Sequence, residues 1–399
     1  MGLSLVMDKD SKTIIIFALG LVFLIVFVLP NPLPQRNLSG VIEIGVISPT
    51  DESYPEYKYL AGLAEEELNT LCNESDLGIS FRFNVSSAEN SVARSMEIVM
   101  DQWRQGVDLF VAGGYHSQLT AIRSFVDDNE VLVLSPSSTY IDMNRDDYII
   151  RMSPNDAEYA PALAPLLMDY GVDRVVLLGR ESIVNREGEP FSNSYEAHGG
   201  EVIGTVTYPW ESSFNASLGE AESILEAYKV ESGVGVLLLD YVSPDMIHRL
   251  STPYNRLSDV TWINIDAYPY YSMNHGSNVT GLKLVSPYPV LVDNNQTRGI
   301  NGLFMDRFGE EVDFVDGCVY DSCMLLGYSV IELDSTNTSL LRMELPMVAS
   351  SYVGLTGRVG FDVNGDRAVY RMGLFSLDVD KTSGWEMVGY HDFSHDRNN

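Results

Sequence analysis

The stretch Asp108–Tyr140, DLFVAGGYHSQLTAIRSFVDDNEVLVLSPSSTY, decides how the rest of the chain reads. An apolar run, Leu109 to Ala112, stops at Gly113-Gly114-Tyr115-His116-Ser117. Leu119, Ile122 and Phe125 then recur at helical spacing. A second apolar run, Val131 to Leu134, stops at Ser135-Pro136-Ser137-Ser138-Thr139. The pattern predicts a β-loop-α-β-loop unit whose two strands both end in small, hydroxyl-bearing loops. In an open parallel sheet, ligands bind in the crevice outside the carboxyl ends of the strands. Gly and Ser there bring backbone N–H groups and hydroxyls close to a guest without bulk. Either loop alone also fits an ordinary βα turn. Two on neighbouring strands make a candidate site.

The same rhythm extends in both directions. Upstream, Val41–Ile47 reads as a strand, residues 57–71 as a helix, Ile79–Val85 as a strand and Val92–Trp103 as an amphipathic helix. Downstream, residues 148–154 form a crossover strand, and Asn155-Asp156 cap a helix over 157–170. Strands at 174–178, 201–208, 234–241 and 260–266 alternate with helices at 189–198, 218–228 and 244–257, and a strand at 281–288 follows. Such alternation implies mostly parallel sheets with right-handed crossovers. Two runs of similar size suggest two lobes. Helices near 298–308, 318–333 and 340–352 come next. The tail differs: residues 358–370 read as a hairpin with an Asn-Gly turn, and 374–377 and 385–390 as antiparallel strands.

The 399 residues carry a net charge of -31, which disfavours nucleic acid and anionic membrane surfaces. Thr13–Leu29, TIIIFALGLVFLIVFVL, is uncharged and apolar all round. It is long enough to span a bilayer, which takes about 17–25 residues. A cleaved signal peptide is the competing reading, but its apolar core is shorter, about 7–15 residues, and ends at a small-residue site. Asn31-Pro32-Leu33-Pro34-Gln35 offers no such site, and no Cys follows closely enough for a lipid anchor. An uncleaved signal-anchor is therefore expected over 13–30, after a short tail over 1–12 and before a linker over 31–40. The large remainder would lie outside the cell. Sequons beginning at Asn37, Asn73, Asn84, Asn215, Asn278, Asn295 and Asn337 agree with export and glycosylation. Cys72, Cys318 and Cys323 leave at least one thiol outside any intramolecular pair.

Catalytic signatures are missing. There is no GxSxG, Walker A, GxGxxG or HExxH sequence, and the cysteine and histidine spacings match no zinc motif. Asp362-x-Asn364-Gly365-Asp366 faintly resembles a calcium loop but lacks the later Glu, so a turn is the better reading. No metal or other cofactor is expected. What remains is a set of polar groups at strand ends. Ser117, Ser137 and Thr139 offer hydroxyls to a carboxylate, and Asp240 and Asp266 end two later strands where a carboxylate could hold an ammonium. Tyr115, Tyr140, Tyr241, Tyr268 and Tyr270 either wall the cleft or pack in the ordinary way.

With these residues the chain resembles the type I periplasmic binding proteins, specifically the leucine/isoleucine/valine-binding group of ABC-transporter receptors. The resemblance runs from about Val41 to Tyr390. It rests on Ile42–Pro49, Leu134–Thr139, Arg151–Asp156, His198–Val202 and Gly357–Asp366, in that order and spacing. It implies two doubly wound Rossmann-like lobes joined by three hinge crossovers, preceded here by the transmembrane helix. Lobe 1 would take 41–155 and 290–357, and lobe 2 would take 156–289 and 358–399. The resemblance implies carboxylate contacts at Ser117, Ser137 and Thr139. It further implies an ammonium-holding acid at Asp266, an aromatic contact at Tyr241 and a hinge-side polar group at Asp156. Tyr115, His116 and Ser138 are secondary candidates, His116 because its charge changes near pH 6–7. One departure stands out. Where the family places a ligand-contacting Tyr after a lobe-2 strand, this chain reads Gly179-Arg180-Glu181-Ser182-Ile183-Val184-Asn185-Arg186. The implied function is a non-enzymatic, membrane-anchored binding protein that delivers an amino acid or similar small polar solute to an ABC permease. The alternative is the ligand-binding ectodomain of a sensory complex.

Overall fold

A computed structural model of the protein describes residues 37–140, 145–209, 214–228, 232–240, 242–265, 279–377 and 384–394. The expected span Thr13–Leu29 lies outside them, as do Tyr241, Asp266, Tyr268 and Tyr270.

The first half of the chain builds a parallel sheet from β1 (Gly40–Ser48), β2 (Ile79–Ser87), β3 (Leu109–Val111), β4 (Leu132–Ser135) and β5 (Ile149–Arg151), in the order β2-β1-β3-β4-β5. The crossovers are α1 (Tyr54–Glu74), α2 (Val92–Arg104) and α3 (His116–Asp128). Side chains alternate across β1: Ile42, Ile44 and Val46 enter one core with Leu60 and Leu68 of α1, while Ile47 enters another with Val99, Phe110 and Ile122. Gly45 faces that second core because Phe110 occupies the space a side chain would need; a Cβ at Gly45 would lie 2.3 Å from the ring.

A second sheet follows. After α4 (Asp156–Tyr170) come β6 (Arg174–Arg180), a three-residue helix α5 (Glu181–Ile183), one wide π-turn (Val184–Gly188) and α6 (Glu189–Ala197). Then β7 (Glu201–Tyr208), α7 (Leu218–Tyr228), β8 (Val234–Leu239), α8 (Pro244–Ser251), β9 (Thr261–Asn264) and β10 (Leu284–Pro289) continue the alternation. The chain then returns to the first sheet. α9 (Asn295–Phe308), α10 (Phe314–Leu333) and α11 (Thr338–Ser351) share the core of α1 and β1. α10 is apolar along nearly its whole length, and the burial of Cys318, Val319, Cys323, Leu325, Leu326 and Val330 explains why. It is the one described helix long and apolar enough to cross a membrane, and it is a core helix. Its N-terminus is closed by a capping box, in which Asp313 accepts from the Asp316 N–H and Asp316 from the Asp313 N–H.

After the short ribbon of β11 (Val353–Gly354) and β12 (Gly357–Arg358), the chain crosses back. There β13 (Val369–Leu377) and β14 (Trp385–Ser394) complete the second sheet, ordered β14-β13-β10-β9-β8-β6-β7. β13 and β14 are antiparallel additions to a parallel sheet.

Three passages connect the sheets, over residues 152–155, 290–294 and 359–368. Here the tail departs from the expected hairpin. Phe361 and Arg367 form only an isolated bridge, and Asp362 closes the turn by accepting from the N–H groups of Gly365, Asn364 and Asp366. The reason is tertiary. Asp366 is drawn into a bidentate ion pair with Arg151, at 2.5 Å from Nε, and both residues are almost fully buried. Arg367 is also buried. It donates to the carbonyls of Met152, Thr356, Arg358 and Val369 and to the Thr356 hydroxyl. Two adjacent residues of the third passage thus fasten it to the first.

Candidate functional site

The loops after β3 and β4 meet at the carboxyl edge of the first sheet. Gly113 takes φ +76°, and Leu119 packs where its side chain would be, so the strand turns at once into α3. Serine hydroxyls staple the two loops. Ser135 donates to the Gly113 carbonyl at 3.0 Å, Ser137 to Gly114 at 2.5 Å, and Ser153 to Pro136 at 2.7 Å.

This stapling changes what the expected carboxylate contacts can do. A serine has one O–H to donate. That of Ser137 is committed to Gly114, which leaves its oxygen as an acceptor. Ser117 stands exposed in the first turn of α3, where the leading backbone N–H groups have no partner within the helix. Ser138 is only 2% exposed, and its hydroxyl has no hydrogen-bond partner among the described residues. Tyr115 precedes α3 and is exposed.

Thr139 and Asp156 come together. The Asp156 N–H donates to the Thr139 carbonyl at 2.7 Å, and the two side chains are also hydrogen bonded. Burial pushes the Asp156 carboxyl above its ordinary range. The Thr139 bond and the charges of Arg186, Arg151 and His116 pull it back. His116 packs against Tyr140, with ring centroids 4.1 Å apart, and its Nε2 lies 3.5 Å from the Thr120 hydroxyl.

The second sheet contributes Arg186, which the sequence reading left without a role. Its guanidinium carbon lies 5.5 Å from the centre of the Tyr140 ring. Nε and Nη2 donate to Oε1 of the neighbouring Glu187, at 3.2 and 2.5 Å. The remodelled stretch 179–186 therefore carries a cation to the face of an aromatic ring on the other sheet. The signal was present, since Arg186 ends the stretch that departs from the family pattern. Its direction was not, because only the π-turn sets it.

Asp240 has a different role from the one expected. It is buried, with Arg180 Nε 2.6 Å from Oδ1 and the Tyr208 hydroxyl donating to Oδ2 at 2.6 Å. Its charge is already answered within its own sheet. No disulfide joins Cys72, Cys318 and Cys323, which are three buried thiols. Burial pushes the Cys318 thiol up to about 12. Among the described residues no cluster of His, Cys, Asp or Glu is arranged to hold a metal.

Residues 61–380 match the family described as the receptor family ligand binding region. The chain belongs to that family. Its fold is that of the type I periplasmic binding proteins. An uncharacterized protein of Methanocaldococcus jannaschii is 20% identical over 385 residues, covering 88% of this chain and 90% of that one. Among solved structures, an ABC transporter substrate-binding protein from Desulfitobacterium hafniense superposes with a TM-score of 0.69 at 19% identity, covering 87% of this chain and all of that one. The leucine-binding protein LivK of Thermotoga maritima gives 0.66 at 15% identity, covering 90% and 100%. The substrate-binding protein LivJ of Streptococcus pneumoniae, solved with isoleucine, gives 0.61 at 13%, covering 87% and 99%. At these identities the likeness establishes the fold.

Proposed function

We propose that this chain is a non-enzymatic solute-binding protein that captures an amino acid or similarly small polar solute and passes it to an ABC permease. The observation that carries the reading is the convergence around Tyr140. His116 arrives from the start of α3, Thr139 from the loop after β4, Asp156 from the start of α4 and Arg186 from the π-turn after β6. These are groups for holding and orienting a polar guest. In this reading the lobes are 41–155 with 290–357 and 156–289 with 358–399, and they close on the solute by motion at the passages. Thr13–Leu29 anchors the protein in the cell membrane as a single span, with the large C-terminal part outside. This reading keeps Tyr241 and Asp266 as expected ligand contacts. The fold shared with leucine- and isoleucine-binding proteins supports an amino-acid ligand.

Calorimetry of the purified chain against a panel of amino acids, amides and small carboxylates tests this. Thr139→Val should weaken the best ligand by about tenfold, because it removes the hydroxyl that holds the Asp156 carboxylate in place, a charge-assisted bond worth about 1.5–3 kcal/mol. Binding of uncharged solutes alone, or of no amino acid, sinks the reading. A second reading, the ligand-binding part of a receptor complex, draws on the family's description. Co-purification with a permease and ATPase, rather than with a signalling protein, separates the two.

A further inference from the structure

Arg186 has more donor capacity than its neighbours use. Glu187 takes Nε and Nη2, while Nη1 makes no hydrogen bond to protein among the described residues. The side chain is 28% exposed, so it lies neither in the core nor in open solvent. The cation–π contact with Tyr140 holds the guanidinium beside the loop after β4 and leaves Nη1 for an acceptor. The ring it stacks on belongs to the residue directly after Thr139, so the cation reaches the same loop that holds the polar groups of the first sheet.

We propose that Arg186 sets the charge of the ligand: the solute held between the sheets presents a carboxylate to this guanidinium, and the cleft selects a dicarboxylic amino acid over its neutral counterparts. The inference deepens the proposed function and rests on it. Two observations narrow the anion to a single carboxylate. Glu187 is paired with Arg186, and Asp156 lies within its electrostatic reach. A dianion such as phosphate would face both acids, whereas one carboxylate matches the free edge in charge and in planar geometry. A neutral side chain in the same place would have to desolvate the guanidinium edge without a charged acceptor, which costs affinity.

The test is calorimetry of the full-length chain with L-glutamate, L-glutamine and L-leucine, on the wild type and on Arg186→Gln. Glutamate and glutamine differ only in charge at the side-chain end. The wild type should bind glutamate at least about tenfold more tightly than glutamine, the size of one charge-assisted contact. Arg186→Gln should weaken glutamate by at least about tenfold more than it weakens glutamine or leucine, so that the preference for glutamate is lost. Equal or tighter binding of glutamine or leucine by the wild type overturns the assignment and leaves amino-acid capture standing. A uniform loss of all three ligands in Arg186→Gln also overturns it, because it would make Arg186 only a brace between the sheets. If none of the full set of amino acids binds, the capture reading itself falls, and this assignment with it. A melting temperature for Arg186→Gln close to wild type shows that the variant is folded. Should it unfold, Arg186→Lys replaces it, with a smaller loss expected for glutamate alone, since Lys keeps the charge but not the planar edge.

Discussion

Asp366→Ala should be among the most damaging single changes to this protein, although it lies in a turn. The residue is 3% exposed, and its carboxylate holds Arg151 through both oxygens, with Asn155 Nδ2 a further donor at 3.0 Å. Arg151 is 1% exposed, and once the carboxylate is gone its guanidinium keeps, among the described residues, the Tyr140 carbonyl as its hydrogen-bond acceptor, at 2.6 Å from Nη1. Removing one partner of a buried ion pair typically costs about 3–5 kcal/mol, because the other charge is left uncompensated. Melting shifts by about 2–4 °C per kcal/mol in units of 150–250 residues, so the expected loss is roughly 6–20 °C. Calorimetric or circular-dichroism melts of Asp366→Ala, Arg151→Met and the double variant check the cause. If uncompensated charge is responsible, the second substitution adds little, and the double variant should be roughly 2–3 kcal/mol more stable than the two single losses predict together. Strict additivity, or a loss below about 1 kcal/mol for Asp366→Ala, would refute the reasoning.

Two further outcomes follow from packing and charge. Gly45→Ala would place a Cβ 2.3 and 2.4 Å from two carbons of the buried Phe110 ring and 2.5 Å from Gln102 Oε1. A loss of about 1–3 kcal/mol or more in urea unfolding is expected, and a neutral result would mean that β1 shifts freely. Glu56 sits near Glu310 and Asp313; burial first, then these acids, raise its carboxyl from 4.5 to about 7. Asp316, beside them, is raised for the same reasons. A raised folded pKa means that the folded state holds the proton more tightly than the unfolded one. The resulting stability is complete below about pH 4.5 and is lost as pH rises through about 7. Thermal melts from pH 4.5 to 8.5 should therefore fall for the wild type and fall less for Glu56→Gln; parallel curves would dismiss this cluster as the source.

Much of this was legible before any coordinates. The β/α alternation, the turns at Gly113 and Ser135, the start of α4 near Asp156 and the antiparallel final strands follow from local periodicity and loop chemistry, which a sequence displays directly. Thr139 and Asp156 were each singled out, but their pairing is a finding of the structure. The failures have a common cause. Ser137 was read as a donor to a ligand, but its O–H goes to Gly114 on the neighbouring loop. Asp240 was read as an open acid, but Arg180 of β6 and Tyr208 of β7 already answer it. The 358–370 hairpin was read from its Asn-Gly turn, but Arg151, more than two hundred residues earlier, claims Asp366. Each error concerns a polar side chain whose partner is distant in sequence.

The sequence by itself determined which segments are strands and helices, and hence two runs of alternating elements with polar loops at the strand ends. The regularity of backbone hydrogen bonding and the apolar faces it exposes make that information local. Only the tertiary structure decided which polar groups are spent on holding the loops and which remain for a guest. It committed Ser137 and Asp240, left the Ser138 hydroxyl and an edge of Arg186 without partners among the described residues, and brought Arg186 to Tyr140. Hydrogen bonds and ion pairs are directional and short, so their allocation is settled by packing at the scale of a few ångströms.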